Sequence, residues 1–367
     1  MPVRDPELDR QRLLEALTLA EQAIGLSDPN PRVGCVLADA SGQVVGRGHT
    51  QAVGGPHAEV MALREATSNC ALVKGGTAWV TLEPCAHHGR TPPCCDALIA
   101  AGLSRVVVAT TDPYPAVNGA GIARLRAAGV QVDMAPDDIA LLARELNIGF
   151  FSRHERGRPW VRLKMATTLD GCMAELNGNS RWITGPEART DGHAWRQRAQ
   201  AIVTGIGTVL ADDPRLDVRE VPTQVQPLRV VLDSQARISK DARILAPPGE
   251  VLLVHGESSV RTPKFVKSLG LPMRDGQLDL RQLLASLYAL NIHEVHVEAG
   301  PTLSSAFLDT GLTDECVLYV APRFMGDGLR MPINSPAALS TPSAWRVIQA
   351  QRLGPDVRIR MQHASAS

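Results

Sequence analysis

The chain has 367 residues, long enough that two domains are expected rather than one core. Its 38 basic and 38 acidic side chains cancel, which leaves no broad field for DNA, RNA or an anionic membrane, so an anionic substrate must be caught by a few local arginines. No run of roughly 18 apolar residues is present, the opening Met1-Pro2-Val3-Arg4-Asp5 has no apolar signal core, and the seven cysteines, with Cys85, Cys94 and Cys95 crowded together, read as reduced thiols serving a metal in the cytoplasm.

The first half alternates helix and strand signals, the pattern of a layered α/β domain. Leu13, Leu17, Ala20 and Ile24 recur at helical spacing and predict an opening amphipathic helix. Residues 33–38 and 43–48 read as a hairpin across Asp39-Ala40-Ser41-Gly42. A helix is expected from about 57 to 67, an apolar strand over 77–82, a helix from 94 to 101 and a strand over 105–110. Helices over 119–128 and 136–149 close this half. The polar stretch Ser152-Arg153-His154-Glu155-Arg156-Gly157-Arg158 breaks the pattern and predicts the boundary, with domains at 1–152 and 158–367.

The second half restarts with a strand at 160–165. Further strands are expected at 201–204, 228–233, 251–255, 294–298 and 315–320, with helices at 186–198, 278–290 and 302–309. Residues 345–351 and 357–362 read as a closing antiparallel pair. No internal repeat or low-complexity tract occurs.

His57-Ala58-Glu59, followed by Pro84-Cys85 and Cys94, carries the most chemistry. One imidazole and two thiolates can hold a zinc ion and leave its fourth tetrahedral position to water, whose pKa then falls to about 7. Glu59, two residues from His57, is placed to carry protons. This is the equipment of hydrolytic deamination of an amino-pyrimidine or amino-purine. Cys85 and Cys94 are each expected at a helix N-terminus, where the macrodipole favours thiolate. Most zinc deaminases place the second Cys three residues after the first, and His88 stands there. Spacing alone therefore leaves His57-Cys85-His88 open, and leaves Cys95 as a competitor of Cys94.

The second half lacks a GxGxxG after its first strand, so a Rossmann site is not supported. Two glycine turns remain. Thr204-Gly205-Ile206-Gly207-Thr208 follows a strand, and Ala299-Gly300-Pro301-Thr302 joins a strand to a helix whose first N–H groups attract phosphate. Lys164 inside an apolar strand and Glu298 at a strand end are candidates for electrostatic or proton-donating roles, since lysine is seldom buried unpaired.

Thr81-Leu82-Glu83-Pro84-Cys85-Ala86-His87-His88-Gly89-Arg90-Thr91-Pro92-Pro93-Cys94 closely resembles the signature of the bifunctional riboflavin-biosynthesis deaminase/reductases, the RibD family. Gly55-Pro56-His57-Ala58-Glu59-Val60 and Asp28-Pro29-Asn30-Pro31-Arg32-Val33-Gly34 belong to the same pattern. So do residues 164–171, Trp182-Ile183-Thr184, Leu210-Ala211-Asp212-Asp213-Pro214 and Val297-Glu298-Ala299-Gly300-Pro301-Thr302 in the second half. The resemblance spans about residues 10 to 363. It implies a cytidine-deaminase-like α/β/α sandwich followed by a dihydrofolate-reductase-like α/β domain. It also implies one zinc ion per chain and NADPH as cofactors, and a dimer formed through the second domain.

On this resemblance His57, Cys85 and Cys94 are the zinc ligands, Glu59 is the proton shuttle, and Asn30, His87 and Arg90 contact substrate. Ala166, Trp182, Thr208, Asp212 and Ser234 fall on NADPH contacts, together with Gly300, Pro301, Thr302, Leu303, Ser304, Ser305 and Ala306. Ser180, Arg196, Leu216, Arg219 and Glu298 fall on contacts to the second substrate. The implied reactions are deamination of 2,5-diamino-6-(5-phosphoribosylamino)pyrimidin-4-one at ring carbon 2, then hydride transfer that opens the ribosyl group to ribityl. Arg196 and Arg219 are suggested as a bidentate phosphate grip, and Arg237 as the partner of the NADPH 2′-phosphate. Two departures stand out: Thr168 replaces the family's usual Ser, and His49 stands one place early. The rival expectation, a nucleic-acid-editing deaminase, is opposed by zero net charge, 4% aromatic residues and no basic tract.

Overall fold

The computed structural model describes residues 5–87, 92–258, 263–330, 332, 340, 341 and 343–366. It divides into two compact units, Met1–Gly157 and Arg158–Ser367.

The elements of the first unit run α1 (Pro6–Glu21), β1 (Gly34–Ala38), β2 (Val44–His49), α2 (Ala58–Ser68), β3 (Thr77–Val80) and α3 (Cys94–Ala100). They continue with β4 (Arg105–Val108), α4 (Ala120–Ala127), β5 (Gln131–Met134), α5 (Asp137–Leu146) and α6 (Ile148–Arg156). The sheet order is β2-β1-β3-β4-β5. β1 is antiparallel to β2 and β3, and β3, β4 and β5 are mutually parallel. Side chains alternate across a strand, so β1 feeds two cores at once. Cys35 and Leu37 pack with Ala58, Ala62 and Leu98 on one face, whereas Val36 and Ala38 pack with Leu13, Ala16 and Ile139 on the other. The result is a three-layer α/β/α sandwich.

Glycine sets how closely α2 approaches the sheet. A Cβ on Gly48 would lie 2.2 Å from the Ala58 carbonyl oxygen, and one on Gly46 would lie 2.2 Å from that of Ala62. Both distances are impossible for a side chain, so β2 touches the backbone of α2 directly.

The helix expected over 136–149 is two helices, parted at Asn147 (φ −111°). The second of them runs through the polar stretch read as a break, because Phe151 and Ser152 face inward and Gly157, at φ 65°, ends it. The strand β5, Gln131-Val132-Asp133-Met134, lacks the apolar run that marks β3 and β4 in sequence.

The second unit runs β6 (Trp160–Thr168), β7 (Ala174–Glu175), α7 (Pro186–Arg198), β8 (Ala201–Gly205), α8 (Ile206–Asp212), β9 (Leu228–Leu232) and β10 (Val251–Gly256). Then come β11 (Lys267–Leu271), β12 (Met273–Arg274), β13 (Gln277–Leu278), α9 (Leu280–Ala289), β14 (Glu294–Glu298) and α10 (Pro301–Asp309). It ends with β15 (Glu315–Ala321), β16 (Gly328–Leu329), β17 (Trp345–Leu353) and β18 (Asp356–His363). Nine strands form one sheet in the order β11-β10-β9-β8-β14-β6-β15-β18-β17. The pairings from β11 to β15 are parallel, and the β17–β18 hairpin adds two antiparallel strands at the edge. The apolar core of Val161, Leu163, Val203, Val230, Leu283 and Phe307 joins the central strands to α9 and α10. Both glycine turns of the sequence thus stand at the carboxyl ends of adjacent parallel strands, where open α/β sheets hold ligands.

Candidate active sites

In the first unit, His57 is the residue before α2, with extended backbone (φ −76°, ψ 168°), and Glu59 lies in the first turn. Cys94 opens α3, as expected. Cys85 does not open a helix; it sits in irregular backbone beyond β3. Its sulfur instead accepts the N–H of Cys94 at 3.3 Å, so α3 reaches both thiols. The His57 Nδ1 lies 3.6 Å from the Cys85 sulfur and 3.2 Å from that of Cys94, and all three donor atoms fall within 4.8 Å of one another. Tetrahedral zinc with ordinary Zn–S and Zn–N lengths holds its ligand atoms about 3.5–3.8 Å apart, so the donor set fits the ion. A hydrogen bond from Cys94, then His57, pushes the Cys85 thiol down to about 4, while the same contact and burial push Cys94 up. Burial, reinforced by the Cys85 charge, lifts the Glu59 carboxyl to about 7. That value suits a group that must both take and give a proton near neutrality.

Cys95 is no competitor. It is wholly buried beside Leu98 and Val106, and burial raises its thiol to about 11. His88 and Arg90 lie outside the described residues. His87 stands edge-on to Tyr114 at 5.6 Å, and its buried Nδ1 has no hydrogen-bond partner among the described residues. Asn30 lies in a turn that Asn147 secures: the Asn147 Oδ1 accepts from the Arg32 N–H (2.7 Å) and its Nδ2 donates to the Arg32 carbonyl (2.9 Å). His49 ends β2 half-buried, with its imidazole lowered by burial.

Sequence reasoning passed over Glu83. This carboxylate is 3% exposed and accepts four backbone N–H groups, from Asp112 (3.2 Å), Gly119 (2.9 Å), Gly121 (2.9 Å) and Ile122 (3.1 Å). It therefore caps α4 from outside while fixing the strand exit two residues before Cys85. A Cβ on Gly121 would meet the Pro84 carbonyl oxygen at 1.9 Å, so the two segments touch through backbone.

In the second unit a cavity of about 970 Å³ opens over the strand ends. Lys164, Ala166, Ser180, Trp182, Arg196, Thr208, Asp212, Leu216, Arg219, Ser234 and Glu298 all line it, as do Gly300, Pro301, Thr302, Leu303 and Ala306. Ser304 and Ser305 do not line it: the helix turns both inward, Ser304 onto the Ala299 carbonyl and Ser305 onto Asp309. The Thr208 hydroxyl accepts the Gly300 N–H at 3.1 Å and so ties the two glycine turns together.

Seven cationic side chains line the cavity (Lys164, Arg181, Arg189, Arg196, Arg215, Arg219 and Arg243) against three carboxylates, Asp212, Glu220 and Glu298. Such a surface selects anions. The fork of Arg196 is not open for phosphate; Nε and Nη2 bind Glu298 at 2.5 and 2.9 Å. Burial alone would raise the Glu298 carboxyl, but Arg196 outweighs it and holds it well below its ordinary range. Burial, against the pull of Glu298, lowers the Lys164 ammonium, which stands 5.6 Å from the Tyr319 ring centroid. His193, also missed in sequence, is pushed down to about 4 by burial and by Arg196 and Arg219, so it is a neutral ring at the cavity wall. Arg237 does not line the cavity; its Nε lies 3.3 Å from Asp233.

Thr168 supplies the hydroxyl its position requires. Its Oγ donates to Asp170 (2.5 Å) and accepts the Cys172 N–H (3.0 Å).

Comparison with known proteins agrees with both units. Residues 6–110 match the cytidine and deoxycytidylate deaminase zinc-binding region, and residues 159–359 match the RibD C-terminal domain. The riboflavin biosynthesis protein RibD of Escherichia coli K12 is 42% identical over 96% of this chain and 99% of its own length. The chain belongs to the RibD family. RibD of Acinetobacter baumannii superposes with a TM-score of 0.87 at 38% identity, covering 98% of this chain and 99% of the other. The diaminohydroxyphosphoribosylaminopyrimidine deaminase/5-amino-6-(5-phosphoribosylamino)uracil reductase of Thermotoga maritima gives 0.88 at 31% identity, covering 97% and 99%. The protein is accordingly a bifunctional enzyme of riboflavin biosynthesis acting on small molecules, with a cytidine-deaminase-like zinc domain and a RibD reductase domain. The nucleic-acid-editing alternative is not favoured, because the second unit is that reductase domain. Among the described residues no helix is long and apolar enough to cross a membrane.

Proposed function

We propose that the first unit deaminates 2,5-diamino-6-(5-phosphoribosylamino)pyrimidin-4-one, and that the second reduces the resulting 5-amino-6-(5-phosphoribosylamino)uracil with NADPH. The single observation that carries this reading is the convergence of His57, Cys85 and Cys94 beside Glu59.

Those three residues would hold a zinc ion, which when bound would supply a Lewis acid that lowers the pKa of a water at the site toward neutrality. Glu59 takes the proton of the attacking water and returns protons to the ring nitrogen and the departing ammonia, one carboxyl serving as base and acid. His87 and Asn30 orient the pyrimidine, joined by Arg90.

The cavity of the second unit would hold NADPH, which when bound would supply the hydride for carbon 1 of the ribosyl group. The first-turn N–H groups of Thr302 and Leu303 in α10 would receive its phosphates, with Gly300, Pro301, Thr208, Asp212, Ser234, Trp182, Ala166 and Ala306 completing the contacts. Ser180, Arg219 and Leu216 hold the pyrimidine nucleotide. The Glu298–Arg196 pair keeps a fixed negative charge beside Lys164, and Lys164 donates the proton that the opening imine nitrogen needs. The place of the half-buried Lys164 in the cavity lining and its lowered pKa support this role. The enzyme works in the cytoplasm, as a dimer formed through the second unit.

The test is to assay the purified protein for ammonia release from the diaminopyrimidine nucleotide, then for NADPH oxidation with the deaminated product. Ammonia release without zinc, or no NADPH oxidation with that product, would refute the assignment.

A further inference from the structure

Six arginines line the cavity of the second unit, and five of them are already engaged. Arg181 stands 3.8 Å from Asp212, Arg196 is forked onto Glu298, and Arg215 and Arg219 both reach Asp217. Arg189 donates to the Thr184 carbonyl and lies 4.7 Å over the Trp182 ring. Arg243 differs. Its exposed side chain makes no hydrogen bond or ion pair among the described residues. Only its backbone is tied, through an N–H that donates to the Asp213 Oδ1 at 2.8 Å.

The seat of that residue is firm. Ile244, the next residue, is wholly buried against Ile206, Val209 and Leu216, which presses the turn Arg243–Leu245 onto α8. The guanidinium is thus left over the cavity on a fixed backbone with all five donors unspent. A planar fork of this kind matches two oxygens of a phosphate, and the dianion of a phosphate monoester suits it best.

We propose that Arg243 binds a phosphate monoester in this cavity, a role that rests on the reading that NADPH and the pyrimidine nucleotide share it. Two groups carry this chemistry: the ribose 2′-phosphate of the dinucleotide and the 5′-phosphate of the pyrimidine nucleotide. Arg237, which the sequence suggested for the first, is held by Asp233 away from the cavity lining.

The test uses the full-length enzyme, Arg243→Ala and Arg243→Lys. Calorimetric titration compares adenosine 2′,5′-bisphosphate with 5′-AMP, and steady-state reduction compares NADPH with NADH at varied pyrimidine nucleotide. Loss of a charge-assisted fork predicts about a 10- to 100-fold rise in Kd or KM for the ligand bearing the phosphate. If the group is the 2′-phosphate, Arg243→Ala weakens the bisphosphate and NADPH but leaves 5′-AMP, NADH and the nucleotide KM within twofold. If it is the 5′-phosphate, only the nucleotide KM rises. In either case kcat at saturation is kept and Arg243→Lys recovers part of the loss. An active Arg243→Ala enzyme with every constant within twofold of wild type overturns the proposal. A wild-type enzyme that binds neither bisphosphate nor NADPH overturns the underlying reading as well, and is distinguished by appearing before any substitution.

Discussion

Glu83→Gln removes one charge and leaves the shape of the side chain, which makes it a sharp probe of how the zinc-binding loop is held. Four backbone N–H groups point at this carboxylate, and those of Asp112, Gly121 and Ile122 do so in buried surroundings. An amide keeps one acceptor oxygen but presents its own N–H to donors on the other side. Hydrogen bonds to a charged group are worth about 1.5–3 kcal/mol each, and a buried donor left unmade costs about 1–3 kcal/mol. Because α4 relaxes and water enters, the contributions do not add fully, and a loss of about 3–5 kcal/mol is expected in the first unit. Urea unfolding followed by an intrinsic probe of that unit measures it, and competition with a chelator measures zinc affinity in parallel. Zinc affinity is expected to fall with stability, since Cys85 follows Glu83 by two residues. NADPH oxidation by the second unit is expected to persist and serves as the internal control. A Glu83→Gln protein within about 1 kcal/mol of wild type, with unchanged zinc affinity, would refute the reasoning.

Cys94→Ser is expected to lose stoichiometric zinc and ammonia release while retaining NADPH oxidation, read by elemental analysis and the two assays. Glu59→Gln is expected to cost several orders of magnitude in deamination rate with zinc retained, which separates proton transfer from metal binding. Thr168→Ser should be nearly silent because the hydroxyl that binds Asp170 and Cys172 is kept, whereas Thr168→Val should lower both melting temperature and reductase activity. Asp170 is held down to about 2, first by the Thr168 hydroxyl and then by the Gly326 and Met325 N–H groups. Its ordinary value is 3.8, so its contribution to stability is complete above that pH and is lost as pH falls through about 2. Asp170→Asn should therefore flatten the acid side of the stability–pH profile, and an unchanged profile would count against the linkage.

The sequence read best where periodicity and chemistry coincided. The hairpin at β1 and β2, the helix after His57 and the terminal β17–β18 pair all fall where the sequence places them, the first marked by the turn Asp39-Ala40-Ser41-Gly42. Other elements went unread: β7, β12, β13 and β16 have two residues each, too few to repeat a pattern, and β5 (Gln131-Val132-Asp133-Met134) lacks the apolar run that marked the equally short β3 and β4. Helix α8 begins Ile206-Gly207, and a glycine in its first turn made it read as a bare loop. At the sites, side chains that converge on the donor cluster or line the cavity could be named from motif, but those that act on backbone could not. Glu83 and Asn147 have no spacing signature, since their partners are N–H and carbonyl groups far along the chain. Nor does sequence reveal which arginine is already occupied; Arg196, Arg237 and Arg243 are alike on paper and differ only in their neighbours.

At Gly46 and Gly48 the strand meets the α2 backbone with no side chain between them. The height of that helix above the sheet is consequently a hard-sphere limit rather than a compromise among neighbouring residue sizes. Drift in the surrounding aliphatic residues can change how tightly the layers fit without shifting the imidazole and carboxyl that the helix presents. Catalytic alignment and core evolution are thereby decoupled, and either glycine replaced by alanine should do more harm than a far larger change deeper in the interior.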